Sequence, residues 1–454
     1  MRTWFSGLCA AVLLFSLCGC GGKDTEASSV SASPTTPRSS LTTLAQETPA
    51  SGVHCATDAG YYYLSEDWKV LSDGTVGMPL FYVDYASGQE VYLCSDSSCA
   101  HDSDRCSAIF SETDFCLSSS VLFVYQDKLY LLSKEYDEDG SILQDLSGSN
   151  TMEPLSDPRP ATLYRMNLDG TNREKCYTFD EALTLEDWVF SDETGLYFIT
   201  KRLSTQQSGS THIISSTSRQ VVRLDLDTGT LERVQSLNFT KNKEWKVLGC
   251  AGSDLVLCGI VYQTELTDQE ALDEERWRAA YLDSTTQYVT LDLQTGEQRQ
   301  LAEVSNQALT SALVADGQLY LSQNTSQAIT QYDLTTGAKT VIAHLPQNNF
   351  LGVLGGRLCC RDWDLSKDYT YYFVEIATGE VQHSKLVNKR LGWDLEFMAE
   401  TASDALVVYD YEATDGIGEG SYEIQRYQLG LIDKDDLFQG VDHFRPIQMI
   451  GKGR

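Results

Sequence analysis

The stretches VVRLDLDTGTLERV (221–234), YVTLDLQTGEQRQL (288–301) and TQYDLTTGAKTVI (330–342) repeat one pattern. In each, apolar and polar residues alternate on both sides of a T-G dipeptide, which is the local chemistry of a β-hairpin. Related hairpins surround D-G and S-G turns elsewhere in the chain. The six turn glycines are Gly88, Gly170, Gly229, Gly296, Gly337 and Gly379. The last three lie 41 and 42 residues apart, which indicates an internal repeat.

A second signature alternates with these hairpins. It is an apolar strand that opens just after a tight turn, such as KLYLL at 128, QLYLS at 318 and ALVVY at 405. Seven copies align on Tyr61, Leu129, Leu196, Leu255, Leu319, Leu358 and Leu406. Further apolar strands (VLFVY, SALVA and FLGVL among them) precede these copies, so we count four strands in each unit. Because the second strands are apolar on both faces, we expect both faces to be buried.

Seven four-stranded units at a minimum spacing of about 40 residues predict an all-β fold, a β-propeller of seven blades over residues 51–454. A β-helix would need much shorter coils, and a β-sandwich would lack the repeat. The last unit is the least regular. Whether its tail, LIDKDDLFQGVDHFRPIQMI, supplies a closing strand stays open at this level.

The chain begins MRTWFSGLCAAVLLFSLCGC, with one positive charge ahead of an apolar run over 5–17. Such a run is typical of a signal-peptide core and is short for an uncleaved membrane-spanning anchor. It ends in LCGC, which resembles the lipobox of bacterial lipoproteins. Cys20 fits that motif because the small Gly19 precedes it, whereas a leucine precedes Cys18. We therefore predict a lipoprotein signal peptide over 1–19 and lipidation at Cys20.

Residues 20–50 are rich in Ser, Thr and Pro and contain few large apolar residues. This composition predicts a flexible tether, because it offers too little apolar surface to bury a core. A lipid followed by a tether predicts a protein held on the extracytoplasmic face of the cell membrane. The chain carries 34 Lys and Arg against 65 Asp and Glu, a formal charge of −31. A nucleic acid is therefore excluded as an expected partner, since phosphate binding needs a positive surface.

The hairpin LYRMNLDGTNREKCYTF resembles the repeats of TolB-like propellers. The lipobox, the tether, the repeats and the segment GQEVYLCSDSSCAHDSDRCSAIF together resemble the propeller lipoproteins of uncharacterised function found in Gram-positive anaerobes. In those proteins a Cys-rich, His-containing segment follows the last strand of the first blade. The resemblance implies surface display and a propeller, and it implies no known reaction.

Propeller topology predicts where the long insertions lie. Tight turns join the first strand to the second and the third to the fourth on one face, and the remaining connections lie on the other. The insertions at 134–160, 201–217, 264–284 and 411–420 all read as second-to-third connections, the third of them with a short helix ending near residue 282. The segment 94–106 reads as a connection between blades. We expect these segments to crowd one face around the channel mouth, either as a functional face or as solvated decoration.

That last segment, CSDSSCAHDSDRC (94–106), contains Cys94, Cys99, His101 and Cys106. Three thiols and an imidazole are a ligand set for a structural zinc ion. Outside the cytoplasm a disulfide is the rival, and free thiols are the third alternative. In each of the first two cases the segment is a stapled loop rather than a catalytic centre. Cys359 and Cys360, by contrast, align with strand residues and are expected to be buried on opposite faces.

Enzyme motifs are sparse. The sequence contains no Gly-x-Ser-x-Gly elbow, no Gly-x-Gly-x-x-Gly after a strand and no metalloprotease histidine spacing, so no catalytic residue is assigned. The favoured function is a binding or interaction module for a protein, peptide or glycan on the loop-rich face. The alternatives are a propeller enzyme, a lyase or glycan hydrolase with its site at the central channel mouth, and a purely structural envelope component.

Overall fold

The computed structural model of the chain describes most of the predicted propeller and a short segment before it. The described residues are 40–46, 53–65, 67–111, 120–134, 160–180, 183–208, 211–237, 245–264, 266, 270, 273–345, 348–362, 370–388, 390, 392, 395–415 and 422–453. The predicted signal peptide and Cys20 lie outside them. Among the described residues, no helix has the length and apolar character to cross a membrane.

Seven antiparallel sheets form a β-propeller with four strands in each blade, as the repeats predict. The strands of each blade are given from the channel outwards. Blade 1 contains β2 (Val53–Ala56), β3 (Gly60–Leu64), β5 (Val76–Asp84) and β6 (Gln89–Tyr92), and blade 2 contains β8 (Ser120–Tyr125), β9 (Lys128–Ser133), β10 (Thr162–Asn167) and β11 (Glu174–Thr178). Blade 3 contains β12 (Thr184–Ser191), β13 (Leu196–Ser208), β14 (Thr211–Asp225) and β15 (Thr230–Leu237). Blades 4 and 5 contain β16 (Trp245–Ala251), β17 (Asp254–Val261), β18 (Thr285–Asp292) and β19 (Gln298–Ser305); β20 (Leu309–Ala315), β21 (Gln318–Gln323), β22 (Ala328–Asp333) and β23 (Lys339–His344). Blades 6 and 7 contain β24 (Asn348–Leu354), β25 (Arg357–Asp362), β26 (Tyr371–Glu375) and β27 (Val381–Ser384); β28 (Glu396–Glu400), β29 (Asp404–Asp415), β30 (Tyr422–Asp433) and β31 (Arg445–Pro446). The other elements of the described residues are β1 (Thr42–Ala45), β4 (Lys69–Val70), β7 (Ile109–Ser111), and two helices that we name α1 (Glu274–Leu282) and α2 (Lys434–Gln439).

The predicted hairpins form where the turn chemistry requires them. All six turn glycines have a positive φ between 65° and 80°, a conformation that costs glycine little. The aspartate that opens each LDLxTG turn accepts a hydrogen bond from the backbone three residues on, as Asp225 does from Thr228 (2.9 Å) and Asp333 from Thr336 (2.6 Å). The repeat therefore encodes a turn with its own side-chain cap.

The second strands are buried on both faces, as predicted. On β9, Leu129 and Leu131 pack against blade 1, while Tyr130 and Leu132 pack against blade 3. Cys359 and Cys360 divide in the same way between two core clusters, and both are buried. The core is thus a set of layers between blades, each built by alternating residues of neighbouring sheets.

The first strands line the central channel, where those of neighbouring blades contact one another. The N-terminal strand β1 lies among them. It pairs antiparallel with the channel edge of β12 and contacts β8 and β16, the first strands of the two flanking blades. Residues 42–45 belong to the predicted tether of 20–50, and the structure shows that this part of it is a fifth strand on blade 3.

The ring closes through the C-terminal tail. Blade 1 consists of N-terminal strands and blade 7 of C-terminal strands. Beyond β31, the tail runs between β30 of blade 7 and the outer strand of blade 1. Ile447 N donates to Leu429 O (2.9 Å), and Gln448 N donates to Gly88 O (2.8 Å). The tail therefore supplies the closing strand, which the sequence left open.

Candidate functional site

The four predicted ligands of the cysteine segment come together. The ligand atoms of Cys94, Cys99, His101 and Cys106 all lie within 4.8 Å of one another. His101 Nδ1 lies 3.2 Å from Cys106 Sγ, and the His101 backbone N–H donates to Cys99 Sγ at 3.4 Å. We name these four residues the cysteine cluster.

The segment does not connect two blades, which corrects the sequence-based placement. The outer strand of blade 1 is split into two pieces. β6 pairs with residues 81–84 of β5, and β7 pairs with residues 77–79 of the same strand. Leu93 N donates to Leu80 O (2.9 Å), and Leu80 N donates to Ala108 O (2.7 Å), so the ladder on β5 is continuous across the gap. Residues 94–107 therefore bulge from the middle of this outer strand, on the rim of the propeller and away from the channel mouth.

Tight turns shape the inserted loop. Cys99 N donates to Asp96 O and Cys106 N to Ser103 O, both at 3.1 Å, which folds each cysteine back toward the others. His101 adopts a left-handed conformation with φ of 52°. That conformation is uncommon for a residue other than glycine, so the surrounding contacts must hold it in place.

The imidazole is also held from outside the cluster. His101 stacks on Tyr92, with ring centroids 4.1 Å apart and an interplanar angle of 14°. Lys69, on β4, donates to Tyr92 Oη (2.7 Å) and to His101 O (3.4 Å). Burial and the nearby Lys69 charge lower the pKa of the His101 imidazole. The neutral form that this favours is the form that binds a metal.

The pKa values of two cluster thiols shift in opposite directions. Burial raises the pKa of Cys106 to about 12. Burial also opposes ionisation of Cys94, but hydrogen bonds from the Asp96 backbone and from Cys106 outweigh it and lower the pKa of that thiol. A metal ion binds cysteine as the thiolate, so binding to the cluster would release the protons of these thiols.

The donor set fits zinc. Three sulfurs and one nitrogen make a closed Cys₃His ligand set, and Zn–S bonds of about 2.3 Å need ligands that approach one another as closely as these do. No disulfide joins any two of the nine cysteines among the described residues, the three of the cluster included. The cluster can thus hold a metal ion such as zinc, and four protein ligands would close the site to a substrate.

The cluster loop braces its surroundings. Ser72 N donates to Asp102 O (2.7 Å), which ties the loop to the second-to-third connection of blade 1. Arg173 of blade 2 donates to Ile109 O (2.6 Å) and to Asp104 O (3.2 Å). Within the connection, Trp68 and Val70 flank Lys69 and are 56% and 75% exposed. The loop therefore supports a segment that presents two large apolar side chains to solvent.

The long connections lie where the topology predicts. Each of the four insertions joins a second strand to a third, and residues 135–159 of the first lie outside the described part of the chain. On blade 3 the two strands continue as a long hairpin to Ser208 and from Thr211. On blade 4, α1 carries a stacked aromatic pair, Trp277 and Tyr281, with ring centroids 5.4 Å apart. We name this side of the ring the loop-rich face and the opposite side the tight-turn face.

Charged side chains at the loop-rich end of β12 form a group that sequence reasoning missed. Asp187 pairs with Lys134, and Glu186 pairs with Arg219, which also donates to the Trp245 carbonyl. Lys134 and Arg219 are buried. These residues come from four different strands or strand ends, so no local motif announces them. Each charge has a partner of opposite sign, which is the arrangement of a structural brace between blades 2, 3 and 4.

No protein-family model and no curated protein matches the chain. Among solved structures it is similar to puromycin hydrolase, with TM-score 0.46 and 10% identity over 92% of this chain and 57% of that chain. It is similar to an oligogalacturonate lyase from Vibrio parahaemolyticus, with TM-score 0.40 and 11% identity over 88% of this chain and 86% of that chain. It is also similar to TolB from Acinetobacter baumannii, with TM-score 0.33 and 13% identity over 89% of this chain and 80% of that chain. The chain thus spans 57% of the length of puromycin hydrolase. Likenesses at this level carry no argument about activity, and the propeller fold rests on the seven blades themselves.

Proposed function

We propose that the chain is an extracytoplasmic lipoprotein, anchored in the cell membrane through Cys20, that binds a protein, peptide or glycan through the loop-rich face. The observation that supports a binding role is the uneven distribution of long and short connections between the two faces of the propeller. Long hairpins and α1 extend from one face, whereas short turns make up the other. Long loops on a rigid scaffold are the usual place for recognition. The lipobox and the Ser-rich segment after it support the anchoring.

Binding is tested with the purified full-length chain on a glycan array and a peptide library. We expect at least one ligand whose affinity falls about tenfold in Trp68→Ala or Trp277→Ala, because aromatic side chains contribute a large share of the binding energy at such surfaces. Val91→Ala is the matched control, since Val91 is 45% exposed on the outer edge of blade 1. No ligand on either array, or equal loss in the control, would count against a binding module.

Anchoring is tested by Cys20→Ala. The wild-type chain is expected in the membrane fraction with a diacyl modification on Cys20 by mass spectrometry. The variant is expected to be unmodified. Cys18→Ala is the control and should leave the modification in place. An unmodified wild-type Cys20 would overturn the lipoprotein assignment.

We also propose that the cysteine cluster holds a structural zinc ion. Zinc would be held by Cys94, Cys99, His101 and Cys106. Its binding would stabilise the folded loop and would not catalyse a reaction. Elemental analysis of the mature domain should find about one zinc per chain, and Cys99→Ser should abolish it. Cys258→Ser is the control, because Cys258 lies in blade 4. A disulfide between any two cluster cysteines together with no bound metal would overturn the proposal.

A propeller enzyme is the second candidate, and the carboxylates of Asp187 and Glu186 at the loop-rich end of β12 are the acidic groups on which to test it. An active site there would need Asp187 or Glu186 released from its ion pair. The purified chain incubated with oligogalacturonate, a β-glucan and a peptidoglycan digest should yield products if this is correct. Turnover should then be lost in Asp187→Asn and kept in Asp283→Asn, which changes a carboxylate beside α1. Product formation that Asp187→Asn leaves unchanged would exclude an active site at this position.

A further inference from the structure

The direction of β1 shows how the chain enters the ring. Thr42 pairs with Ser191, the last residue of β12 before the tight turn to β13, whereas Ala45 pairs with Val189 farther from it. Leu41 N donates to the carbonyl of Gly252 at 2.7 Å, and Gly252 lies in the tight turn between β16 and β17. Residue 41 is therefore at the tight-turn face, and β1 runs from there into the channel.

The first blade begins on the other side of the ring. β2 begins at Val53, which pairs with Leu64, the last residue of β3 before the second-to-third connection. Residues 41–46 start at the tight-turn face and run along β12 into the ring. The next described residue, Val53, lies at the loop-rich end of blade 1.

Side-chain packing fixes β1 in this position. Leu41 is buried with Trp188, Trp245 and other residues of blades 3 and 4. Thr43 Oγ1 lies 3.4 Å from Cys250 Sγ, and Leu44 packs against the cluster shared by blades 2 and 3. β1 therefore contacts three blades, which a segment resting on the outside of the ring does not do.

We infer that the tight-turn face looks toward the membrane and the loop-rich face looks away from it, because the chain that leads to the lipid emerges at the tight-turn face. This inference rests on the proposed lipid attachment at Cys20. Only residues 21–40 separate that cysteine from Leu41. At ~3.6 Å per residue they reach at most ~70 Å, so the propeller stays near the bilayer.

The two faces differ in chemistry. The tight-turn face carries the turn aspartates, including Asp84, Asp225, Asp292 and Asp333, whose carboxylates cap their own turns. Anionic lipid headgroups repel such a face, so the orientation rests on the point at which the chain emerges and not on attraction between this face and the bilayer. The exposed Trp68 and the aromatic pair on α1 then lie on the distal side, accessible to partners outside the cell.

The position of β1 is tested first, without a membrane. Thr43→Cys is expected to form a disulfide with Cys250 on mild oxidation, detected by peptide mapping, since the two side chains already touch. Thr42→Cys is the matched control, because the neighbouring side chain points to the opposite side of β1. If Thr42→Cys crosslinks as readily as Thr43→Cys, or if Thr43→Cys forms no crosslink, the position of β1 inside the ring would be overturned.

The orientation is tested with the lipidated full-length chain in phosphatidylglycerol-containing liposomes with an acceptor dye in the headgroup. A donor is placed by amber suppression at Thr228, in a tight turn of blade 3, or at Arg278, on α1. The two sites differ in height by at least a strand length, ~17–20 Å. We expect about twofold greater energy transfer from Thr228 because of this separation.

The outcomes separate the two proposals. Failure of the wild-type chain to float with liposomes would overturn the lipoprotein assignment, and the membrane orientation with it, while leaving the crosslink result intact. Flotation with equal transfer, or with greater transfer from Arg278, would overturn the orientation alone.

Discussion

Glu90 is a buried carboxylate that joins the two ends of the ring. It is 3% exposed, and its Oε2 accepts the backbone N–H groups of Ile450 (2.6 Å) and Gly451 (2.7 Å). Tyr63 donates its hydroxyl to the other carboxylate oxygen, and burial followed by the charge of Glu90 raises the pKa of that hydroxyl well above its usual value. One side chain of blade 1 thus receives the tail of blade 7.

Glu90→Gln is expected to lower the free energy of unfolding by about 1.5–3 kcal/mol, because hydrogen bonds to a charged acceptor are lost and an amide N–H₂ faces two backbone donors. Urea denaturation of the two proteins checks this. Glu193→Gln, at an exposed turn position of blade 3, is the control and should change stability by less than about 0.5 kcal/mol. Equal stability of Glu90→Gln and wild type would show that the tail is held by other contacts.

The turn glycines allow a second comparison of single residues. Gly170 and Gly229 occupy the same turn position, with φ of 80° and 65°. A Cβ on Gly229 would meet open space, whereas a Cβ on Gly170 would overlap the carbonyl oxygen of Leu93 at the start of the cluster loop. We expect Gly229→Ala to cost about 1–2 kcal/mol for the left-handed backbone alone, and Gly170→Ala to cost more. Thermal denaturation midpoints measure the difference, and equal midpoints would mean that the cluster loop moves aside freely.

At the scale of elements, the repeats predicted the second strands and hairpins correctly because their information is local. Two features depend only on residues close together in the chain. One is a run of apolar residues that is buried on both faces of a strand, such as Leu129 to Leu132, and the other is a turn capped by an aspartate. The split of the outer strand of blade 1 was not predictable in this way. It depends on the hydrogen bond from Leu80 N to Ala108 O, which pairs β5 with the chain beyond the inserted loop. The composition of that loop is also compatible with an ordinary connection between strands.

The cluster loop offers the prediction that belongs to an element. Arg105 is exposed within it, directly before Cys106. If the cluster holds the proposed zinc ion, we expect chelation, or Cys106→Ser, to accelerate tryptic cleavage after Arg105 at least tenfold, since local opening exposes the backbone to the protease. Cys176→Ser, which keeps a donor to Leu163 O on blade 2, is the control. Cleavage that chelation leaves unchanged would mean that hydrogen bonds such as those from Arg173 hold the loop without a metal.

At the scale of the whole molecule, the sequence predicted the architecture, seven blades of four strands, but left open or missed the contacts that join its parts. The tail at Glu90, the channel strand β1 and the ion pairs of Asp187 and Glu186 all link residues far apart in the chain. Such contacts leave no periodic trace in a single sequence. The cysteine cluster was recognised as four residues from their spacing, but its place on the rim required the pairing of β5 with both β6 and β7.

Deletion of residues 444–454 is expected to open the ring. It removes β31 and the closing strand, leaving the edges of β30 and β6 unpaired and prone to association. We expect a lower thermal midpoint and concentration-dependent aggregation, measured by calorimetry and light scattering. Lys452→Ala, which removes an exposed side chain but keeps its backbone bonds, should behave like wild type. A monomeric, fully stable truncation would show that packing between blades 7 and 1 suffices.

The path of β1 determines how the molecule bears a mechanical load. A pull on the chain at Leu41, directed away from the tight-turn face, acts along the axis of β1 and across its hydrogen bonds to β12. Bonds perpendicular to the pull are loaded together, in shear, whereas a strand pulled from one end at right angles is unzipped bond by bond. Tension would therefore be spread over blades 2, 3 and 4 before it reached the first strand of blade 1, and the ring would resist being peeled open from its own N-terminus.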